Sequence, residues 1–163
     1  MIKLYRTKNE RVYEKLKSLL PEHSEITRTE NGKPYTDDIH FSITHTGGIA
    51  LIAISDRPVG VDAEIVRERD FLSVLKRFTP REQAEIGANS VEFLRHWVVK
   101  EAFIKLTNGT LAHDLKRLEY FGGELSVDGG KPACNILCTS SGDLIYCVCA
   151  ESGISKYLKL ETI

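Results

Sequence analysis

A chain of 163 residues that is 42% hydrophobic and 28% charged has the make-up of an ordinary globular protein, long enough for one sizeable core or for two fused half-sized lobes. Its 22 Lys and Arg against 23 Asp and Glu leave a formal net charge of -1, so no global field draws it to nucleic acid or an anionic membrane, and any anionic ligand must be held by a local cluster. The first twenty residues, MIKLYRTKNERVYEKLKSLL, are charged every few positions and lack the apolar stretch of a secretory signal, and no apolar run reaches the roughly 20 residues that span a bilayer; the expected location is cytoplasmic.

A short strand is expected at Ile2 to Tyr5, then an amphipathic helix over residues 8–20, where Val12, Leu16, Leu19 and Leu20 recur at helical spacing and Pro21 ends the pattern. TENGKPYTDD is rich in turn formers and reads as an extended loop. From Ile39, IHFSITH alternates Ile39, Phe41 and Ile43 with His40, Ser42 and Thr44, the period of a half-buried strand. Gly48 to Ser55 is a continuous apolar run, and PVGVDAEIV, after the Asp56-Arg57-Pro58 turn, is β-branched and alternating. Together these three segments predict a meander.

DFLSVLKRF reads as helical, and Thr79-Pro80-Arg81-Glu82 is a helix start with Thr as N-cap, Pro in the first position and Glu completing a capping box. Gly87 ends that helix, and a longer one follows over about Val91 to Leu106, stopped by Asn108-Gly109. RLEYF, ELSVD, CNILCTS and LIYCVCAE read as strands, with Ser140 to Asp143 as a hairpin turn, and YLKLE as the last strand. The predicted class is α+β, antiparallel sheet with segregated helices. Cys134, Cys138, Cys147 and Cys149 match no zinc spacing and are expected as buried thiols on two paired strands.

Two segments carry the chemistry. On a strand, Asp62 and Glu64 of VGVDAEIV share one face while Val61, Ala63 and Ile65 take the other. Alone, such a pair is most often a solvated face. In WVVKEAFIK, however, Trp97, Val98, Val99, Ala102, Phe103 and Ile104 surround the helix axis, so the helix is buried on every side and Lys100, Glu101 and Lys105 lie in or beside the core. A surface pair of Glu101 with Lys105 would contribute only about 0.3–0.5 kcal/mol, and an unpaired buried charge costs several times that. External partners are therefore expected: a divalent cation for Glu101, and an anion for Lys100 and Lys105. Three carboxylates suit Mg²⁺, with Mn²⁺ also possible, and the lysines suit phosphate, which together outline phosphoryl transfer.

Val59-Gly60-Val61-Asp62-Ala63-Glu64 and Trp97 to Lys105 resemble the two motifs of the 4′-phosphopantetheinyl transferases, (V/I)-G-(I/V)-D-x-E and W-(S/T/C)-x-K-E-(A/S)-x-x-K. Val98 departs from the small residue usual there. NGKPY, IHFSITHTGG and KRFTPRE are similar to further segments of the family, so the resemblance runs from roughly Gly32 to Leu111. It implies the surfactin-synthetase-activating type, a fold of two pseudo-two-fold lobes, with the first shortened (about 1–56) and the second (about 57–163) carrying both metal motifs. It further implies transfer of 4′-phosphopantetheine from coenzyme A to a serine of an acyl or peptidyl carrier protein. By the same resemblance, Asp62, Glu64 and Glu101 hold Mg²⁺ and Glu101 takes the serine proton. Lys100 and Lys105 meet phosphates, and Lys33, Pro34, Thr44 and His45 meet the nucleotide. A zinc pair of His40 and His45 is rejected because they fall on opposite strand faces, and His96 and His113 are expected as surface or capping residues. The other readings are a noncatalytic module that binds a carrier protein or coenzyme A, and a generic Mg²⁺-dependent phosphohydrolase.

Overall fold

The computed structural model describes residues 1–68 and 70–163. Strand β1 (Lys3–Lys8) passes through a 3-10 turn (Asn9–Arg11) into α1 (Val12–Leu19), which buries Val12 and Leu16. The segment expected as loop contains a two-residue ladder, β2 (Thr27–Arg28) with β3 (Pro34–Tyr35), closed by Gly32 at a φ of +79°. β4 (His40–Thr46) and β5 (Ile49–Ser55) form a hairpin across Gly47-Gly48, both in the left-handed region that L side chains avoid. Then follow β6 (Val59–Ile65), α2 (Leu72–Leu75), α3 (Pro80–Ile86), α4 (Ser90–Leu106) and α5 (Leu111–Asp114). The chain ends with the hairpins β7 (Leu118–Phe121) with β8 (Glu124–Val127) and β9 (Asn135–Ser141) with β10 (Leu144–Ala150), and with β11 (Leu160–Thr162).

The strands sort into two main sheets, β11-β1-β5-β4 and β6-β10-β9. All pairs are antiparallel except β1 with β11. The expected meander stops after two strands, because β5 is already flanked by β1 and β4 and has no free edge for β6. β6 crosses to the second sheet and pairs with β10.

Side-chain alternation then dictates the layers. On β5, Ala50, Ile52 and Ile54 face α1, while Leu51 and Ala53 meet Val59, Val61 and Ala63 of β6 and Tyr146 and Val148 of β10 between the sheets. The other face of β10, Ile145, Cys147 and Cys149, packs on Leu94, Val98, Val99 and Ala102 of α4. The order is α1, sheet, sheet, α4: an α+β fold of two lobes, each a helix on a sheet, with the sheets back to back. Among the described residues, no helix is long and apolar enough to cross a membrane.

Cys138 stands opposite Cys147 on the paired strands β9 and β10, and Cys147 and Cys149 are buried as expected, but Cys134 falls just before β9 and both Cys134 and Cys138 are only partly buried, because β9 is the edge strand of its sheet. Burial pushes Cys134 and Cys138 up to about 11 and Cys147 well above an ordinary thiol. These thiols are therefore held in the unreactive protonated form at neutral pH. A disulfide reagent at pH 8 is expected to titrate all four in denaturant and to react at least about a hundredfold more slowly with the native protein, followed by absorbance.

Candidate functional site

β4 and β6 run side by side at the edges of different sheets, and hydroxyls on alternate residues of β4 join them. Ser42 Oγ accepts from the Val61 amide at 3.1 Å, Thr44 Oγ1 donates to Asp62 Oδ1 at 2.8 Å, and Thr46 Oγ1 accepts from the Ile65 amide at 3.2 Å and donates to Glu64 Oε2 at 3.2 Å. The polar face of IHFSITHT is thus a seam between the lobes rather than a solvated face, and Ser42 and Thr44 are buried. Ser42 and Thr46 were legible only as the even positions of that alternation.

α4 lies directly on β6. A Cβ on Gly60 would fall 2.0 Å from the carbonyl oxygen of Ala102 and 2.6 Å from the amide nitrogen of Leu106, so the absence of a side chain at this position is what lets helix and strand touch. The close approach sets Glu101 and Lys105 beside Asp62. Lys105 Nζ donates to Asp62 Oδ1 at 2.7 Å and to the Val61 carbonyl at 3.2 Å. From the far side, Lys33 Nζ donates to the Lys105 carbonyl at 2.6 Å, capping the helix C-terminus, while Thr29 and Asn31 bond to Asn108 just beyond it.

Lys33, Pro34, Ile43, Glu101, Ile104 and Lys105 border a cleft of about 340 Å³. Glu101 has no hydrogen-bond or ion-pair partner among the described residues. Burial, and then the negative charge of Asp62, push its carboxyl up to about 7, against the pull of Lys105. Asp62 is also raised by burial, opposed chiefly by Lys105. Burial and then the charge of Lys105 lower Lys33, and the same two causes lower His45 at the end of β4. Thr44→Val deletes the hydroxyl that donates to a buried carboxylate; the expected loss is about 1.5–3 kcal/mol, read by denaturant unfolding.

The sequence-predicted residues therefore separate into groups. Glu101, Lys105, Lys33 and Pro34 line the cleft, Asp62 is joined to it through Lys105 and Thr44 through Asp62, while Glu64 bonds to Thr46 and is not among the lining residues. Lys100 does not join them: its side chain is fully enclosed and its ammonium meets Glu82 at 2.7 Å. The reason is helical phase, since residue 100 lies about 100° around the axis from residue 101. The anion expected for Lys100 is thus replaced by an internal carboxylate.

His96 is likewise buried rather than superficial, its Nδ1 2.9 Å from the Glu92 carbonyl oxygen and its Nε2 3.1 Å from Glu85 Oε2, because α3 covers that side of α4. His113 is exposed on α5, its amide donating to the N-cap Thr110. Val98 is fully buried against the sheet, where a branched apolar side chain fills the core.

The donor chemistry suits a hard divalent cation: oxygen ligands only, and a carboxylate in Glu101 that has no hydrogen-bond or ion-pair partner among the described residues and is pushed up to about 7 by burial and then by Asp62. Asp62 Oδ1 is engaged by Lys105 and Thr44 in this arrangement. Among the described residues, no three His, Cys, Asp or Glu side chains already form a cage for a metal.

A sequence model described as the 4′-phosphopantetheinyl transferase superfamily matches residues 58–144. The chain is 34% identical over 119 residues to 4′-phosphopantetheinyl transferase psf-1 of Bacillus pumilus, a match covering 68% of this chain and 50% of that protein. It is 30% identical over 142 residues to the L-aminoadipate-semialdehyde dehydrogenase-phosphopantetheinyl transferase of Mus musculus, covering 71% and 46%. A third relative, the 4′-phosphopantetheinyl transferase of Bacillus subtilis, is 31% identical over 108 residues, covering 61% and 47%. The chain spans about half the length of these curated relatives.

Proposed function

The chain belongs to the 4′-phosphopantetheinyl transferase superfamily, and from that premise we propose that it moves 4′-phosphopantetheine from coenzyme A to a serine hydroxyl of an acyl or peptidyl carrier protein. The observation that carries this reading is the cleft where a partnerless Glu101, held near neutrality, stands by Asp62 and Lys105. The serine Oγ attacks the phosphorus attached to pantetheine. The bond from that phosphorus to the oxygen bridging to the 5′-phosphate breaks, and adenosine 3′,5′-bisphosphate leaves with the electron pair.

Glu101 is the base for the serine proton; a carboxyl at about 7 is closer to a neutral working pH than an ordinary glutamate. Asp62, Glu64 and Glu101 would hold Mg²⁺ or Mn²⁺, whose charge would neutralise the diphosphate when bound. Lys105 and Lys33, which both line the cleft, neutralise phosphate oxygens, and Pro34 stiffens the turn that presents Lys33. Thr44 orients Asp62 through its 2.8 Å bond, and His45 meets the nucleotide at the end of β4. The GKP and SITH segments before the first carboxylate motif support the surfactin-synthetase-activating type, with residues 1–56 joined by the last strand, β11, as the first lobe and the rest of 57–163 as the second, acting in the cytoplasm.

Incubating apo carrier protein with coenzyme A and Mg²⁺ and weighing the product tests this reading. The expected result is a gain of one phosphopantetheine. No gain across acyl and peptidyl carriers overturns the reading, while binding of carrier or coenzyme A without gain leaves a noncatalytic module and free phosphate release a hydrolase.

A further inference from the structure

Lys100 and Glu101 are adjacent in sequence but look out from different sides of α4. Glu101 borders the cleft, whereas Lys100 points toward α3 and β7. There its three N–H donors have acceptors to hand: Glu82 Oε1 at 2.7 Å, Glu82 Oε2 at 2.8 Å and the Leu118 carbonyl at 2.9 Å, with the Phe78 ring centroid at 4.0 Å. Glu82 is equally enclosed. Its oxygens also accept from the amides of Thr79 and Tyr120, each at 2.9 Å. The glutamate that closes the capping box of α3 is therefore the hub at which α3, β7 and α4 meet.

This matters because α4 is apolar on every side. Phe93, Leu94, Val98, Val99, Ala102, Phe103 and Ile104 are all buried, and apolar burial is non-directional, so it sets the depth of such a helix better than its rotation. A charged pair with five short polar contacts is directional. Lys105 anchors one side of the helix to β6, and Lys100 anchors another to α3 and β7. A carboxylate about 6 Å from the helix axis moves about 2 Å for a 20° rotation, and a displacement of about 1 Å can cost on the order of a hundredfold in rate.

We propose that Lys100, held by Glu82, is a positioning residue: it fixes the rotation of α4 so that Glu101 faces Asp62, and it does not touch the phosphates of coenzyme A. The kinetic part of this inference rests on the transfer reading above, and the geometric part does not. The testing variant joins Lys100→Met to Glu82→Gln, which removes both charges while keeping volume and a side-chain acceptor for the Thr79 or Tyr120 amide.

Its crystal structure beside that of the wild type is expected to show the Glu101 carboxylate displaced by more than about 1 Å. Kinetics are expected to show kcat lowered at least about tenfold with the KM for coenzyme A within about twofold. Should the double variant fail to fold, Glu82→Asp keeps the ion pair but shortens the arm by one methylene, and the same displacement and the same split are expected. An unmoved Glu101 overturns the proposal, as does a tenfold rise in KM with kcat retained, which would mean that Lys100 binds the ligand. If the wild type transfers nothing, the transfer reading fails by itself, and the displacement of Glu101 still decides the positioning role.

Discussion

Glu101→Gln is expected to lower transfer at least about a hundredfold and, at the same time, to stabilise the fold at pH 8. The first effect follows from the general-base role proposed for Glu101, a role that typically contributes on the order of 10² to 10⁴ in rate. The second follows from linkage. Glu101 titrates at about 7 in the folded chain against an ordinary 4.5, so the folded state binds this proton more tightly than the unfolded one. Its contribution is fully present below pH 4.5 and is lost as pH rises through 7, where a partnerless carboxylate must ionise in a half-buried cleft. Glutamine keeps the shape without that charge. A gain on the order of 1–3 kcal/mol is expected at pH 8 with divalent cations chelated, shrinking to about zero near pH 4.5. Denaturant unfolding across this range checks it. A variant that is inactive and no more stable at pH 8 than the wild type would mean that Glu101 has an internal partner after all.

Gly60→Ala carries the second large effect. Most core enlargements are absorbed by a rotamer change, but the new Cβ would lie 2.0 Å from one backbone atom of α4 and 2.6 Å from another, and backbone cannot step aside one atom at a time. Overpacking costs typically 1–3 kcal/mol, and here a loss of about 3 kcal/mol or more is expected. Because the same contact holds Glu101 and Lys105 against β6, transfer should fall more than tenfold even at temperatures where the variant is still folded. Gly153→Ala, whose Cβ would meet nothing within 4 Å, serves as the control and should change stability by less than about 0.5 kcal/mol. Equal unfolding midpoints for the two variants would contradict the close helix-strand contact.

Much of this arrangement could be read along the chain because its causes are local. The capping box at Thr79 to Glu82 and the helix ending before Asn108-Gly109 each depend on a few neighbouring residues, and each appears where its local chemistry puts it. The period-2 and helical patterns likewise yielded the α+β class and the strands and helices that carry Asp62, Glu64, Glu101 and Lys105. What lay outside that reading was the partner of each polar group. The Ser42, Thr44 and Thr46 face has the same period whether it meets water or another strand, and nothing near residue 40 says that β6 will lie beside it.

By itself, then, the sequence determined which residues form the elements, which charges sit on buried ones, and which family the two motifs resemble. Only the tertiary structure decided that β6 leaves the first sheet, that Gly60 brings α4 onto it, and that Lys100 and Lys105 part company, one to Glu82 and the other to Asp62. The division has a single physical reason. Periodicity and capping are set by residues within a turn or two of each other, whereas a buried charge is satisfied by whatever group the fold brings to it from 18 or 43 residues away.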